Sequence, residues 1–170
     1  TGTYAWYDND SLTYADDYGA LYSWYAVDNN WGLCPAGWRV PSDCEWMYLE
    51  NTLGMSITQQ ESTQWRGTVE GSKLKETGTS HWPSPNSDAT NSSGFTGLPG
   101  GLRYANGLFL SFGNAGGWWT SSEFNIISKA MYRIMDHDKT YIGRWDYAKN
   151  FGFSVRCIKD STSLNTIKPQ

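Results

Sequence analysis

The stretch Ala130-Met-Tyr-Arg-Ile-Met-Asp-His-Asp-Lys-Thr-Tyr-Ile-Gly-Arg144 decides the fold class. Residues 130–136 and 141–144 alternate as strands do, and the polar residues between them form a turn, so the segment reads as two antiparallel neighbours. Side chains two apart share a face of a strand. Met131, Arg133, Met135, Ile142 and Arg144 therefore point one way, while Ile134, Asp136, Asp138, Tyr141, Gly143, Trp145 and Tyr147 point the other. A further strand over 152–159, with Phe153, Val155 and Cys157 on its apolar face, is expected to complete a meander, and a strand over 117–121 precedes it.

Helices flank these strands in the first third of the chain. Ser42 followed three residues later by Glu45 makes a capping box, Pro41 precedes it, and Gly54 stops the helix after Leu53. Trp46, Leu49 and Leu53 form its core stripe, and residues 37–41 deliver the chain to the cap as a short strand. Tyr4 to Asp10 reads as a strand running into a loop. Asp16 or Asp17 then caps a helix over Tyr18–Val27, in which Tyr18, Leu21, Tyr22 and Tyr25 recur at helical spacing. From Gly54 to Gly117 the chain is loop-rich, with Trp65, Leu74, Trp82, Phe95 and Leu98 pinning it to the core. The expectation is an α+β domain over residues 1–160, two helices on a small twisted antiparallel sheet, followed by a polar tail or linker over 161–170.

At 170 residues the chain is the size of one domain, and 39% hydrophobic residues with 10 Trp, 11 Tyr and 6 Phe exclude disorder. A net charge of −4 with 13 scattered Lys and Arg leaves no basic stripe, so nucleic acid is excluded as a partner. No run approaches the ~18 apolar residues of a transmembrane segment. Residues 1–7 lack a signal-peptide pattern, so any export signal is expected to have been removed or never present, and export is read instead from composition. Three cysteines cannot all pair within one chain. A Cys34–Cys157 bond would close a loop worth about 4 kcal/mol and leave Cys44 reduced; the alternative is three buried thiols.

The catalytic vocabulary is thin. Two histidines cannot build a His-rich metal site, and neither a Gly-x-Ser-x-Gly elbow nor HExxH occurs. His81 reads as a packed loop residue and His137 as part of the Asp136–Asp138 turn. Asp8 and Asp10 open like a calcium loop but lack the later Gly and Glu, and residues 97–101 lack the Lys-Ser/Thr of a phosphate cradle. No catalytic residue, metal ligand or cofactor is assigned, and Ca2+ has no motif behind it.

Residues 18–27, Cys34-Pro-Ala-Gly-Trp-Arg-Val-Pro-Ser-Asp-Cys-Glu-Trp46, Lys73-Leu-Lys-Glu-Thr-Gly78, Gly94-Phe-Thr-Gly-Leu-Pro-Gly-Gly-Leu-Arg103, Trp118-Trp-Thr-Ser-Ser-Glu123 and Gly152-Phe-Ser-Val-Arg-Cys157 resemble, in order, the signatures of the Fibrobacter succinogenes major paralogous domain family. The resemblance implies a C-type-lectin-like fold, related to that of formylglycine-generating enzymes. It also implies an extracellular or bacterial cell-surface location, often in lipid-anchored parent proteins. Cys34 and Cys157 sit in two recurring motifs, which implies their disulfide. Cys44 departs from the pattern and is expected to be a buried bystander. The catalytic relatives use two cysteines close together near the domain end, where this chain has Cys157 alone, so an enzyme is not expected. Calcium-dependent sugar binding needs an Asn-Asp pair after a Trp, where this chain has Trp118-Trp-Thr-Ser-Ser-Glu123. Some relatives of the fold are diversified by retroelements in the corresponding last third.

Binding is therefore expected of residues 124–151, with Phe124, Ile134, Asp136, Asp138, Tyr141, Trp145 and Tyr147 as ligand contacts. A protein ligand, as for an adhesin or receptor-binding domain, is the first expectation. A polysaccharide held by aromatic stacking is the alternative, and the plainer one is that Trp145 and Tyr147 merely cover the sheet.

Overall fold

The computed structural model describes residues 2–29, 32–125 and 127–160; the expected tail, 161–170, lies outside them. In chain order the elements are β1 (Tyr4–Ala5), α1 (Ser11–Tyr18), β2 (Leu21–Ser23), α2 (Trp24–Val27), β3 (Trp38–Arg39), α3 (Asp43–Thr52), α4 (Ile57–Glu61), β4 (Gln64–Arg66) and α5 (Glu70–Leu74). They continue with β5 (Gly100–Arg103), β6 (Phe109–Phe112), β7 (Ala115–Glu123), β8 (Lys129–Asp136), β9 (Ile142–Ala148), β10 (Gly152–Phe153) and β11 (Ile158–Lys159). One curled sheet runs β1-β2-β10-β5-β7-β8-β9-β4, with β6 against β5, and β11 pairs with β3 apart from it. These strand pairs are antiparallel except β5 and β7, which meet in parallel at Gly101 and Gly116. The class is α+β, as expected.

The capping box forms as read. Ser42 Oγ accepts from the Glu45 amide at 3.3 Å, and Glu45 Oε2 accepts from the Ser42 amide at 2.8 Å, so two orphan donors at the start of α3 are satisfied reciprocally. Trp46 is buried, and Leu49 and Leu53 pack beside it.

The helix expected over 18–27 does not exist as one unit. Asp10 is the cap, accepting from the amides of Leu12 and Thr13, and α1 ends at Tyr18 because Gly19 takes φ 69°, which breaks the helical path. Leu21–Ser23 is then extended because its backbone pairs with β1 on one side and β10 on the other, tertiary pairing that outweighs the helical spacing of its apolar residues. Only Trp24–Val27 is helical.

The expected meander also changes. β8 and β9 are antiparallel neighbours, and β9 runs four residues beyond Arg144, but β10 leaves them to pair with β2 and β5. The 152–159 segment splits into two short strands because Ser154 bridges to Trp118 and Cys157 is tied by the disulfide before β11 joins β3.

Two cores lie on opposite faces of β7 and β8. Trp118 and Met135 join Trp46, Met55, Leu74, Trp82 and Ile142 on one face, and Trp119 and Tyr132 join Trp24, Ala130 and Phe153 on the other. Each of the large apolar side chains among these contributes about 1.5–3 kcal/mol by leaving water. The indoles of Trp24, Trp82 and Trp119 donate to the carbonyls of Thr120, Gly97 and Tyr22, so these three rings bury their N–H without an orphan donor. Cys34 and Cys157 form a disulfide with Cα atoms 5.9 Å apart, closing a loop across 123 positions. Cys44 is free and, against expectation, exposed: on α3 it follows buried Asp43 and lies on the outward side of the helix from Trp46.

Candidate functional site

The inner face of β8 and β9 carries charge as well as hydrophobic mass. Arg133, fully buried, donates from Nε to Glu50 at 2.7 Å and from Nη1 to Asp43 at 2.6 Å. Arg144, opposite it in register, reaches the other Asp43 oxygen at 2.6 Å, and Arg66 on β4 reaches the other Glu50 oxygen at 2.5 Å. Three guanidinium groups thus share two carboxylates from α3 and bolt the helix beneath the strands. Burial pushes the Asp43 carboxyl up, but the hydrogen bonds and charges of Arg144 and Arg133 outweigh it and hold it below the ordinary carboxylate range.

At one end of the strand pair the 136–139 turn is held from inside. The buried Lys75 ammonium donates to the carbonyls of Asp136 at 3.0 Å, His137 at 3.4 Å and Lys139 at 2.9 Å. Burial lowers its pKa to about 8, against the pull of Asp136, Asp138 and Asp88. Asp136 is itself raised by burial, whereas exposed Asp138 is lowered by its hydrogen bond from Lys139. Side-chain donors of Asp136, His137 and Asp138 lie within 4.8 Å of one another. The Lys75 and Lys139 amines already bring positive charge to that turn, so a cation there would meet repulsion.

The outer face is aromatic. The register sets Tyr132 beside Trp145, Ala130 beside Tyr147, and Ile134 beside Gly143, with Trp65 of edge strand β4 beside Gly143 on its other side. Gly143 is a notch that its neighbours fill: a Cβ there would lie 2.5 Å from Ile134 Cγ2 and 2.8 Å from Trp145 Nε1. Ile134, Trp145 and Tyr147 pack on the second core and are half-buried, neither free nor enclosed. Tyr147 stands edge-on to Phe151 at 4.3 Å, Phe151 meets Tyr104 at 4.9 Å, and Tyr132 stacks on Phe153 at 4.3 Å. These five rings and Leu102 line a slot of about 120 Å³. Burial raises the Tyr132 hydroxyl well above its ordinary value, so it stays neutral there.

The seven residues expected to bind do not form one patch. β8 is eight residues long, roughly 23 Å. Phe124 lies by the hairpin at one end, its amide donating to the Lys129 carbonyl, near Tyr147. Asp136, Asp138 and Tyr141 lie at the other end, where Tyr141 meets Trp65 at 5.7 Å with the Lys139 ammonium over the same indole. Ile134 and Trp145 bridge the two ends. Trp65, Tyr104 and Phe151 join this face without a signal in the sequence, since each comes from a segment remote from β8 and β9 or just beyond them.

Elsewhere, His81 is held between Glu76 at 2.8 Å and Asp17 at 3.9 Å and meets the Tyr18 ring edge-on, a packed loop residue as read. Cys157 has its sulfur in the disulfide. Among the described residues no helix is long and apolar enough to cross a membrane.

In comparison with known proteins, the model of the Fibrobacter succinogenes major domain matches residues 1–159. No curated protein and no solved structure matches the chain.

Proposed function

The chain belongs to the Fibrobacter succinogenes major domain family, and we propose that it is a non-enzymatic recognition module taking a protein ligand on the outer face of β8 and β9. One observation carries this: half-exposed Trp145, Tyr147 and Trp65, with Tyr141 packed edge-on to Trp65, stand on strands whose other face is fixed by five interlocked charged side chains. Rigid amphipathic rings lose little conformational entropy on binding, which is why recognition surfaces favour them. Asp136 and Asp138 at one end and Phe124 at the other supply the polar and apolar limits of the surface. The C-type-lectin-like fold is part of the same proposal, supported by the curled sheet, the disulfide that joins early and late segments, and the loop-rich section between α5 and β5. An extracellular or cell-surface setting fits the disulfide. The absence of catalysis fits Cys157, whose sulfur is bonded rather than free to act as a nucleophile.

The half-exposed rings also suit a sugar face, so the test has two arms. Affinity capture from cell-surface extracts, with a photo-crosslinker at position 124, should retain one protein that binds in a purified system with saturation and at least tenfold weaker after Trp145→Ala with Tyr147→Ala. Saturable binding on a glycan array, lost in Trp145→Ala and indifferent to chelator, would instead identify a polysaccharide ligand. Binding in neither arm would leave the domain a spacer and end the proposal.

A further inference from the structure

Arg103 is the exception among the six arginines of the chain. Arg39, Arg66, Arg133, Arg144 and Arg156 each donate to a carboxylate or carbonyl oxygen. Arg103 donates to none among the described residues; its guanidinium lies 5.6 Å from the Phe109 ring, and its Nε is buried with no acceptor. A buried donor left unpaired is unfavourable, more so on a charged group, so the site is short of an oxygen that the described residues do not supply.

Arg103 lines a cavity of about 250 Å³ beside β1, β2 and β10, bounded by Tyr4, Asn9, Asn150, Gly152 and Phe151, the last of which also lines the slot under Tyr147. Gly152 keeps the floor open, since a Cβ there would come within 3.0 Å of the Arg103 Cβ and 3.3 Å of the Leu21 Cβ. Tyr4 is 59% exposed and held edge-on by Trp6 at 5.3 Å and tilted against Tyr22 at 5.9 Å, a fixed ring with a free side. Asn9 and Asn150 are exposed, their side-chain amides meet no partner among the described residues, and each offers both donors and acceptors.

We propose that this cavity binds an acidic sugar unit of a glycan, with Arg103 taking the carboxylate, Tyr4 covering one face of the ring, and Asn9 and Asn150 meeting hydroxyls. The carboxylate follows from the unpaired fork, which matches a planar two-oxygen acceptor. A sugar, rather than an acidic side chain, follows from amides that suit groups able both to donate and to accept, beside an aromatic wall. Pockets for drug-sized ligands run to about 300–1,000 Å³, so this one takes a single ring.

Titration of the whole chain with glucuronate and with galacturonate, followed by calorimetry and by NMR of the asparagine side-chain amides, tests this. One uronate should bind with saturation, at least tenfold tighter than its neutral parent sugar or acetate. Arg103→Gln should reduce that affinity at least tenfold with its Tm unchanged, and Asn9→Ala should weaken it without abolishing it. Trp145→Ala should leave it unaltered, which separates this site from the surface on β8 and β9. Absence of saturation with both uronates, equal binding of the neutral sugar or of acetate, or full affinity in Arg103→Gln would each overturn the assignment.

Discussion

Glu50 and Arg133 touch one another in the buried ionic cluster, yet their removal should not be equivalent. Three guanidinium groups face two carboxylates, a net charge of about +1. Glu50→Gln keeps the shape but raises that to about +2 and leaves Arg66 without its carboxylate, so a loss of about 3–5 kcal/mol in urea unfolding is expected. Arg133→Met leaves two matched pairs, Asp43 with Arg144 and Glu50 with Arg66, and should cost distinctly less. Acid should act through Asp43. Its folded value lies below the unfolded one, so its stabilisation is complete above the ordinary carboxylate pKa and fades as pH falls through the folded value; Asp43→Asn should flatten that limb of a stability–pH curve. Lys75 gives a slope of the same sign at higher pH, although there it is the charged form that folding disfavours. Burial lowers it to about 8 from 10.5, so across that window the unfolded chain holds the extra proton and stability should rise with pH. The rise should stand alone in the difference between wild type and Lys75→Met, where tyrosine ionisation cancels.

At the scale of elements, what local chemistry dictates was legible and what distant pairing dictates was not. The start of α3 is written in Ser42 and Glu45, and Ser42→Ala should cost about 1 kcal/mol in thermal unfolding. The two faces of β8 and β9 follow from alternation alone: Met131, Met135 and Ile142 are buried, and Ile134, Trp145 and Tyr147 share the other side. The helix expected over 18–27 failed because Leu21–Ser23 takes its backbone partners from positions 4–5 and 152–153, which no local window contains. The partners of Asp43 were equally hidden, for Arg133 and Arg144 lie 90 and 101 positions away. The candidate surface was legible in its centre and not at its margins, since Trp65 and Tyr104 arrive through β4 and the end of β5. Gly143 ties this face together: Gly143→Val should push Trp145 and Ile134 apart, cost about 1–3 kcal/mol by overpacking, and red-shift the fluorescence of the displaced indole.

The whole molecule is a sheet with a core on each side and one covalent tie. In the chain-entropy picture a loop of 123 positions is worth about 4–5 kcal/mol, so reduction should lower the urea midpoint sharply, and Cys34→Ser with Cys157→Ser should reproduce the shift without reductant. The tie has a mechanical side. A pull on the two ends of the domain can lengthen only the chain outside the ring, up to Cys34 and past Cys157, roughly 120 Å of extension, while everything between is locked. Trp145 and Tyr147 sit inside that closed ring and would keep their grip under load. Tyr4 and Asn9 sit on the part that peels, so a ligand held between them and Arg103 would be released by tension.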